Sequence, residues 1–223
     1  MTRPGRPARP LRSDTATAAI LLALAGYVDA IAFVVLKGSF VAFMSGNTTI
    51  MAASATTDAP NPLAITGALL GLFFAGCVLG AGLARWTGDR STVVVLAVVI
   101  AAMTAGAATA VAASATAGML VIAVGTGVMN SALARTAAVH TGLSYVTGTL
   151  VTSAHRLVDG IGTAHPWAWL KTFRWWLLFA SGAAAGGIAY SRLGAPVLWL
   201  APAAAVCALV CAGRGPDPAP AAA

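Results

Sequence analysis

Glutamate is absent from the 223 residues, and all six acids are aspartate: Asp14, Asp29, Asp58, Asp89, Asp159 and Asp217. Acid–base pairs and carboxylate metal cages need acids in clusters, and these six are scattered. Charged residues make up 9% of the chain, too few to cover a soluble domain of this size. Cys77, Cys207 and Cys211 sit in apolar stretches, with neither the even count nor the spacing of a disulfide framework or a zinc site. They read as packing residues. The sequence holds no HExxH, no Ser/His/Asp arrangement and no paired carboxylates, and His140, His155 and His165 lack ligand spacing. No enzyme activity, metal or cofactor is therefore expected.

What fills the chain is apolar: 59% hydrophobic residues and a mean hydropathy of +0.86. The lipid bilayer is the natural solvent for such a composition and the expected partner. A net charge of +7 could suggest nucleic acid, but the basic residues lie in the tails and between apolar runs, forming no basic face, so no nucleic-acid partner is expected. Arg3, Arg6, Arg9 and Arg12 before an apolar run also fit a signal peptide. The run continues too far for one and carries Asp29, so it reads as an uncleaved first helix.

A spanning helix needs roughly 20 mostly apolar residues. Six segments meet or approach that length: 15–36, 63–86, 92–112, 117–134, 173–190 and 196–212. Two further stretches, 39–57 and 144–159, are apolar but interrupted by Ser, Gly, Asn and Thr. Basic residues of short loops concentrate on the cytoplasmic side, which separates the topologies. If both interrupted stretches cross, Lys37, Arg85, Arg90, Arg135 and Arg192 fall outside, leaving 8 of the 13 basic residues inside. If both enter and leave on one side, only Lys37 and Arg192 fall outside, leaving 11 of 13 inside. The expected fold is thus an all-α polytopic bundle of six spans plus two re-entrant, broken helical hairpins, in the inner membrane, with both termini cytoplasmic. Trp86, Trp167, Trp169, Trp175 and Trp176 fall at span ends or in a loop, as an aromatic belt requires.

Sliding the chain against itself reveals a repeat at an offset of about a hundred residues. Gly26-Tyr27-Val28-Asp29-Ala30 lies over Gly127-Val128-Met129-Asn130-Ser131, and Ser45-Gly46-Asn47-Thr48 over Thr147-Gly148-Thr149-Leu150. Phe74-Ala75-Gly76 through Gly82-Leu83-Ala84 lies over Phe179-Ala180-Ser181 through Gly187-Ile188-Ala189. The chain divides accordingly into a basic cytoplasmic tail (1–14), a first half (15–112), a second half (117–212) and a Pro/Ala-rich tail expected to be disordered (213–223). Three spans per half make the 3+3 repeat inverted, an arrangement recurrent in secondary transporters.

Irregular backbone at membrane depth must be buried in protein or line a wet cavity. Gly46 and Gly148 are expected to allow the turn, and Asn47, Thr48, Thr147 and Thr149 to cap short helices 48–57 and 149–159. Two helix N-termini would then point into the bundle, suiting an anionic or carbonyl-bearing solute. Asp29 is the one acid well inside an expected span, where a carboxylate costs roughly 2.5–3.5 kcal/mol, so it needs compensation. It reads as a proton or cation site, or else as a carboxylate bonded to backbone amides of the broken segment; its repeat partner Asn130 keeps the hydrogen bonding and drops the charge. Gly76/Gly80 and Gly182/Gly186 are GxxxG pairs expected to build the contact between halves. Arg156 and Asp159 are spaced for an exposed i,i+3 pair.

The runs GYVDAIAF, GSFVAFMSGNTT, GVMNSALAR and YVTGTLV, within roughly residues 20–190, resemble the YoaK-like bacterial membrane proteins, a widespread family of unknown function. The resemblance implies a six-span integral membrane protein and supplies no substrate. The chain departs from the family pattern at Asn130-Ser131 and Leu133-Ala134-Arg135, where an Asn-Ala pair and a more basic run would be expected. The leading functional reading is a secondary transporter or facilitator of a small polar or anionic solute. Its expected binding residues are Asp29, Tyr27, Ser45, Gly46, Asn47, Thr48, Asn130, Tyr145, Thr147, Gly148 and Thr149. The alternatives are a channel-like pore and a non-transporting scaffold or partner subunit, and a homo-oligomer fits any of them.

Overall fold

Long apolar runs without internal proline can satisfy their backbone only as helices, and the computed structural model consists of eight of them among the residues it describes, 12–57, 60–135 and 146–213. In chain order they are α1 (Arg12–Val35), α2 (Met44–Ala55), α3 (Pro60–Thr87), α4 (Ser91–Ala112), α5 (Ala115–Arg135), α6 (Val146–Asp159), α7 (Leu170–Leu193) and α8 (Leu200–Ala212). One 3-10 turn, Gly88–Arg90, joins α3 to α4, and another, Ala195–Trp199, leads into α8. The segments Thr15–Val35, Pro62–Thr87, Ser91–Ala112 and Ala195–Ala212 are long and apolar enough to cross a membrane. These are four of the six spans expected. Phe74, Val78, Ile188, Val206 and Val210 lie exposed on the bundle surface, the pattern of a protein whose outer solvent is lipid. Most of both expected tails falls outside the described residues; α1 already includes residues 12–14, and Gly213 follows α8 directly.

Helix α1 lies at the centre. It packs on α7, α8 and α5, while α4 packs on α5, α8 and α3, and the short helices α2 and α6 lie against α3 and α7. The core between them is built from such residues as Leu21, Val28, Ile31, Val99, Met103, Ile122 and Ala205. Apolar burial alone gives little drive between helices in lipid, so close backbone approach matters more. A methyl added at Gly182 would sit 2.0 Å from the Ala23 carbonyl oxygen, and one at Gly186 2.3 Å from that of Tyr27. On the other pair, a methyl at Gly76 would meet the Val124 carbonyl oxygen at 2.2 Å, and one at Gly80 that of Val128 at 3.1 Å. The two GxxxG pairs therefore seat α7 on α1 and α3 on α5, as expected. In these contacts Gly76 corresponds to Gly182, one residue away from the Phe74-on-Phe179 register that the sequence comparison suggested.

The broken segments begin earlier than expected. Helix α2 starts at Met44 and α6 at Val146, so Gly46 and Gly148 lie in first helical turns and do not make the bend. The first bend follows α1: Lys37 has φ +53° and Gly38 φ +114°, and the Gly38 amide donates to the Phe33 carbonyl at 2.8 Å. This left-handed closure ends the helix and turns the chain back. The residues corresponding to that bend in the second half, 136–145, lie outside the described residues, Tyr145 among them.

Candidate functional site

Turning back brings residues 39–43 alongside the last turns of α1. Asp29 is buried there, and its Oδ1 accepts the amides of Val41 at 2.9 Å and Ala42 at 2.7 Å. The Val41 carbonyl lies 2.5 Å from Thr126 Oγ1 on α5. One peptide segment is thus fixed to α1 through its amides and to α5 through its carbonyl. Thr126 escaped the sequence reading, although a hydroxyl one turn before Asn130 on the same helix was its available signal.

Asn47 completes the bend. It is fully buried, its Oδ1 accepts the Phe40 amide at 2.9 Å, and its Nδ2 donates to the Phe40 carbonyl at 2.7 Å. The side chain reproduces a strand-like pairing where the backbone has none. It therefore staples the loop, and the start of α2 carries no side-chain cap. The expected capping hydroxyls are spent inside their helices as well: Thr48 donates to Met44 at 2.9 Å and Thr149 to Val146 at 2.6 Å.

Between this bend and α7 runs a cleft of about 590 Å³, within the range of small-molecule sites. Asp29 and Ala30 of α1, the bend with Phe40 and Phe43, Thr147 at the start of α6, and Trp176 and Phe179 of α7 all contribute to its walls. Of the expected site residues, the structure brings Asp29 and Thr147 together on this cleft. Ser45 and Gly46 face an adjoining depression with Phe33, Phe40 and Phe43. Tyr27 points elsewhere, its hydroxyl donating to the Val197 carbonyl at 2.8 Å in the turn before α8. Thr48 is exposed, Gly148 lies in the first turn of α6, and Asn130 is half-buried on α5.

The sequence reading missed the aromatic lining. Phe33 and Phe40 lie with ring centroids 5.4 Å apart, and Phe40 meets Phe43 edge-on at 5.3 Å. GSFVAF announced these rings, two Phe flanking the bend beside an acid-bearing helix. Two expectations need correction. Trp175 is buried and Trp176 lines the cleft, because α7 begins at Leu170 and has already entered the bundle at those positions; Trp86 and Trp167 are exposed. Arg156 reaches across to Thr172 Oγ1 at 2.5 Å, tying the end of α6 to the start of α7, instead of pairing along its own helix with Asp159.

An acid-bearing first helix, a bend stapled by the Asn of SGNTT and a glycine-packed partner helix all fall between Arg12 and Leu193 of this chain. The family model described as "Protein of unknown function (DUF1275)" matches residues 17–211. The chain belongs to this family. That agrees with the YoaK-like resemblance and with membrane-helix character. No curated protein and no solved structure matches the chain.

Proposed function

We propose that this DUF1275 member is an inner-membrane secondary transporter or facilitator of a small solute, with six spans, two re-entrant segments and both termini in the cytoplasm. The observation that carries the reading is the cleft. It opens between α1 of the first half and α6 and α7 of the second, with a buried carboxylate in its wall. Sites of inverted-repeat transporters lie where the halves meet, beside broken helices.

The packing supports the repeat. Exchanging the halves turns the α1–α7 contact into α5–α3, the α4–α5 contact into α8–α1 and the α2–α3 contact into α6–α7, and every one of these pairs packs. The glycine contacts keep the exchange in register, since Ala23 and Tyr27 become Val124 and Val128. Helices α5 and α7 complete the six spans. Helix α5 contains the apolar run Ala115–Ser131, and α7 gathers Lys171, Arg174 and Arg192 near its ends, where a membrane interface accepts them. Transport then consists of one half rocking on the other, with the bend carried between α1 and α5 by Asp29 and Thr126.

Uptake and counterflow in proteoliposomes, run with a labelled panel of organic cations, amino acids and organic acids, test this function. At least one solute is expected to exchange, and Asp29→Asn to slow it by about tenfold or more, the scale of one lost charged contact. Exchange that survives unchanged in the variant would remove Asp29 from the path. A second reading, a non-transporting partner subunit, is favoured by one observation: among the described residues every buried side-chain polar atom has a hydrogen-bond partner. Absence of exchange across the whole panel, with folded protein in the vesicles, would decide for it.

A further inference from the structure

Helix N-termini suggested an anion from the sequence, yet the chemistry of the cleft has the opposite sign. Among its described lining residues Asp29 is the only ionisable one. The amides of the first bend, which an anion would have used, already receive the protein's own carboxylate at 2.7 and 2.9 Å. Arg174 of α7 lies over the Trp175 ring at 5.1 Å, and neither it nor Lys171 or Arg192 of the same helix is part of the lining.

The rest of the lining is aromatic. Phe33 of α1 and Phe40 and Phe43 of the bend line it together with Trp176 and Phe179 of α7, and Phe40 and Phe43 stand at right angles to one another. Ring faces carry negative quadrupole density and attract a cation, most strongly one that sheds little hydration on entering an apolar site. A small inorganic ion does not meet that condition, because its water shell cannot be replaced by rings and a single carboxylate. An ammonium or phosphonium clothed in carbon does. The Val41 and Ala42 bonds both fall on Oδ1, the Phe43 amide also approaches the carboxyl, and the Asp29 side chain lines the cleft, where a positive charge would meet it.

We infer that the cleft binds a monovalent organic cation with an aromatic or branched apolar body, its charge at Asp29 and its body among the five rings. This rests on the transport reading for its physiological meaning, but the binding step stands by itself and is measured without flux.

The experiment is equilibrium dialysis of detergent-purified full chain with three probes: benzyltrimethylammonium, tetraphenylphosphonium and benzenesulfonate. Both cations are expected to bind saturably and benzenesulfonate not to bind. Asp29→Asn preserves an acceptor for the Val41 and Ala42 amides, so the bend stays held, and it is expected to weaken cation binding by about tenfold or more. Phe179→Leu, which leaves the charge in place, is expected to weaken it several-fold through loss of a ring face. Stronger binding of benzenesulfonate than of the cations would overturn the inference. So would equal cation binding by wild type and Asp29→Asn, or a co-purified lipid that neither cation displaces. Saturable cation binding without proteoliposome exchange would refute transport and leave the site standing; exchange of an anion or a neutral solute alone would do the reverse.

Discussion

Asp29 stands out in the sequence as an acid inside an apolar run, but its partners cannot be read there, because they lie 12 and 13 residues further on, across a bend that no local pattern fixes. Its two roles, holding the bend and facing the cleft, separate by substitution. Asp29→Ala leaves two buried amides without an acceptor, each costing about 1–3 kcal/mol, whereas Asp29→Asn keeps the acceptor. Thermal unfolding in detergent is expected to show Asp29→Ala well below Asp29→Asn, with the latter close to wild type. Equal loss in both would mean that the charge, not the acceptor, holds the bend. Asn47 was legible as a polar residue of SGNTT and misread as a helix cap, since a cap and a loop staple use the same side chain. Its donor and its acceptor are both committed to Phe40. Asn47→Asp abolishes the donor and sets a carboxylate against a carbonyl, and is expected to destabilise by about 1–3 kcal/mol on the same assay. A neutral result would show that Phe40 finds other partners.

The helices themselves were legible because 15 to 25 apolar residues in lipid have no alternative to the helix. Their beginnings were not: glycine and hydroxyl residues attracted the bend to Gly46, while a left-handed Lys37 and Gly38 make it nine and eight residues earlier. Glycine contacts were legible as spacing and not as register. They yield a paired test within α3. A methyl at Gly76 would lie 2.2 Å from the Val124 carbonyl oxygen, whereas one at Gly71 meets nothing within 4 Å. Gly76→Ala is expected to lower stability by about 1–3 kcal/mol through overpacking, and Gly71→Ala to raise it slightly or leave it unchanged. Similar melting temperatures for the two variants would contradict the α3–α5 seam. Thr126→Val, which frees the Val41 carbonyl from α5, is expected to cost about 0.6–1.7 kcal/mol, the span of interhelical hydrogen bonds in membranes.

The expected bundle rests on two sequence arguments of different kinds: the balance of basic residues favours re-entry over crossing, and the self-comparison divides the chain in two. Neither could say which helices pack on which. Helix α1 packs on α7 and α5 on α3, a pairing that depends on which glycines face which backbone and that hydropathy does not encode. The cleft follows from that pairing, as does the aromatic lining assembled from α1, the bend and α7. The proposed six-span arrangement requires that α2 enter and leave on one side of the membrane. The direct measurement is labelling of single cysteines at Thr57, after α2, and at Ser114, between α4 and α5, with Cys77, Cys207 and Cys211 replaced by alanine, using a membrane-impermeant maleimide on right-side-out and inverted vesicles. The account predicts that both positions react only from the periplasmic face, while Gly162→Cys, after α6, reacts only from the cytoplasmic face. Reaction of Thr57→Cys and Ser114→Cys from the cytoplasmic face would mean that α2 crosses completely, and would contradict it.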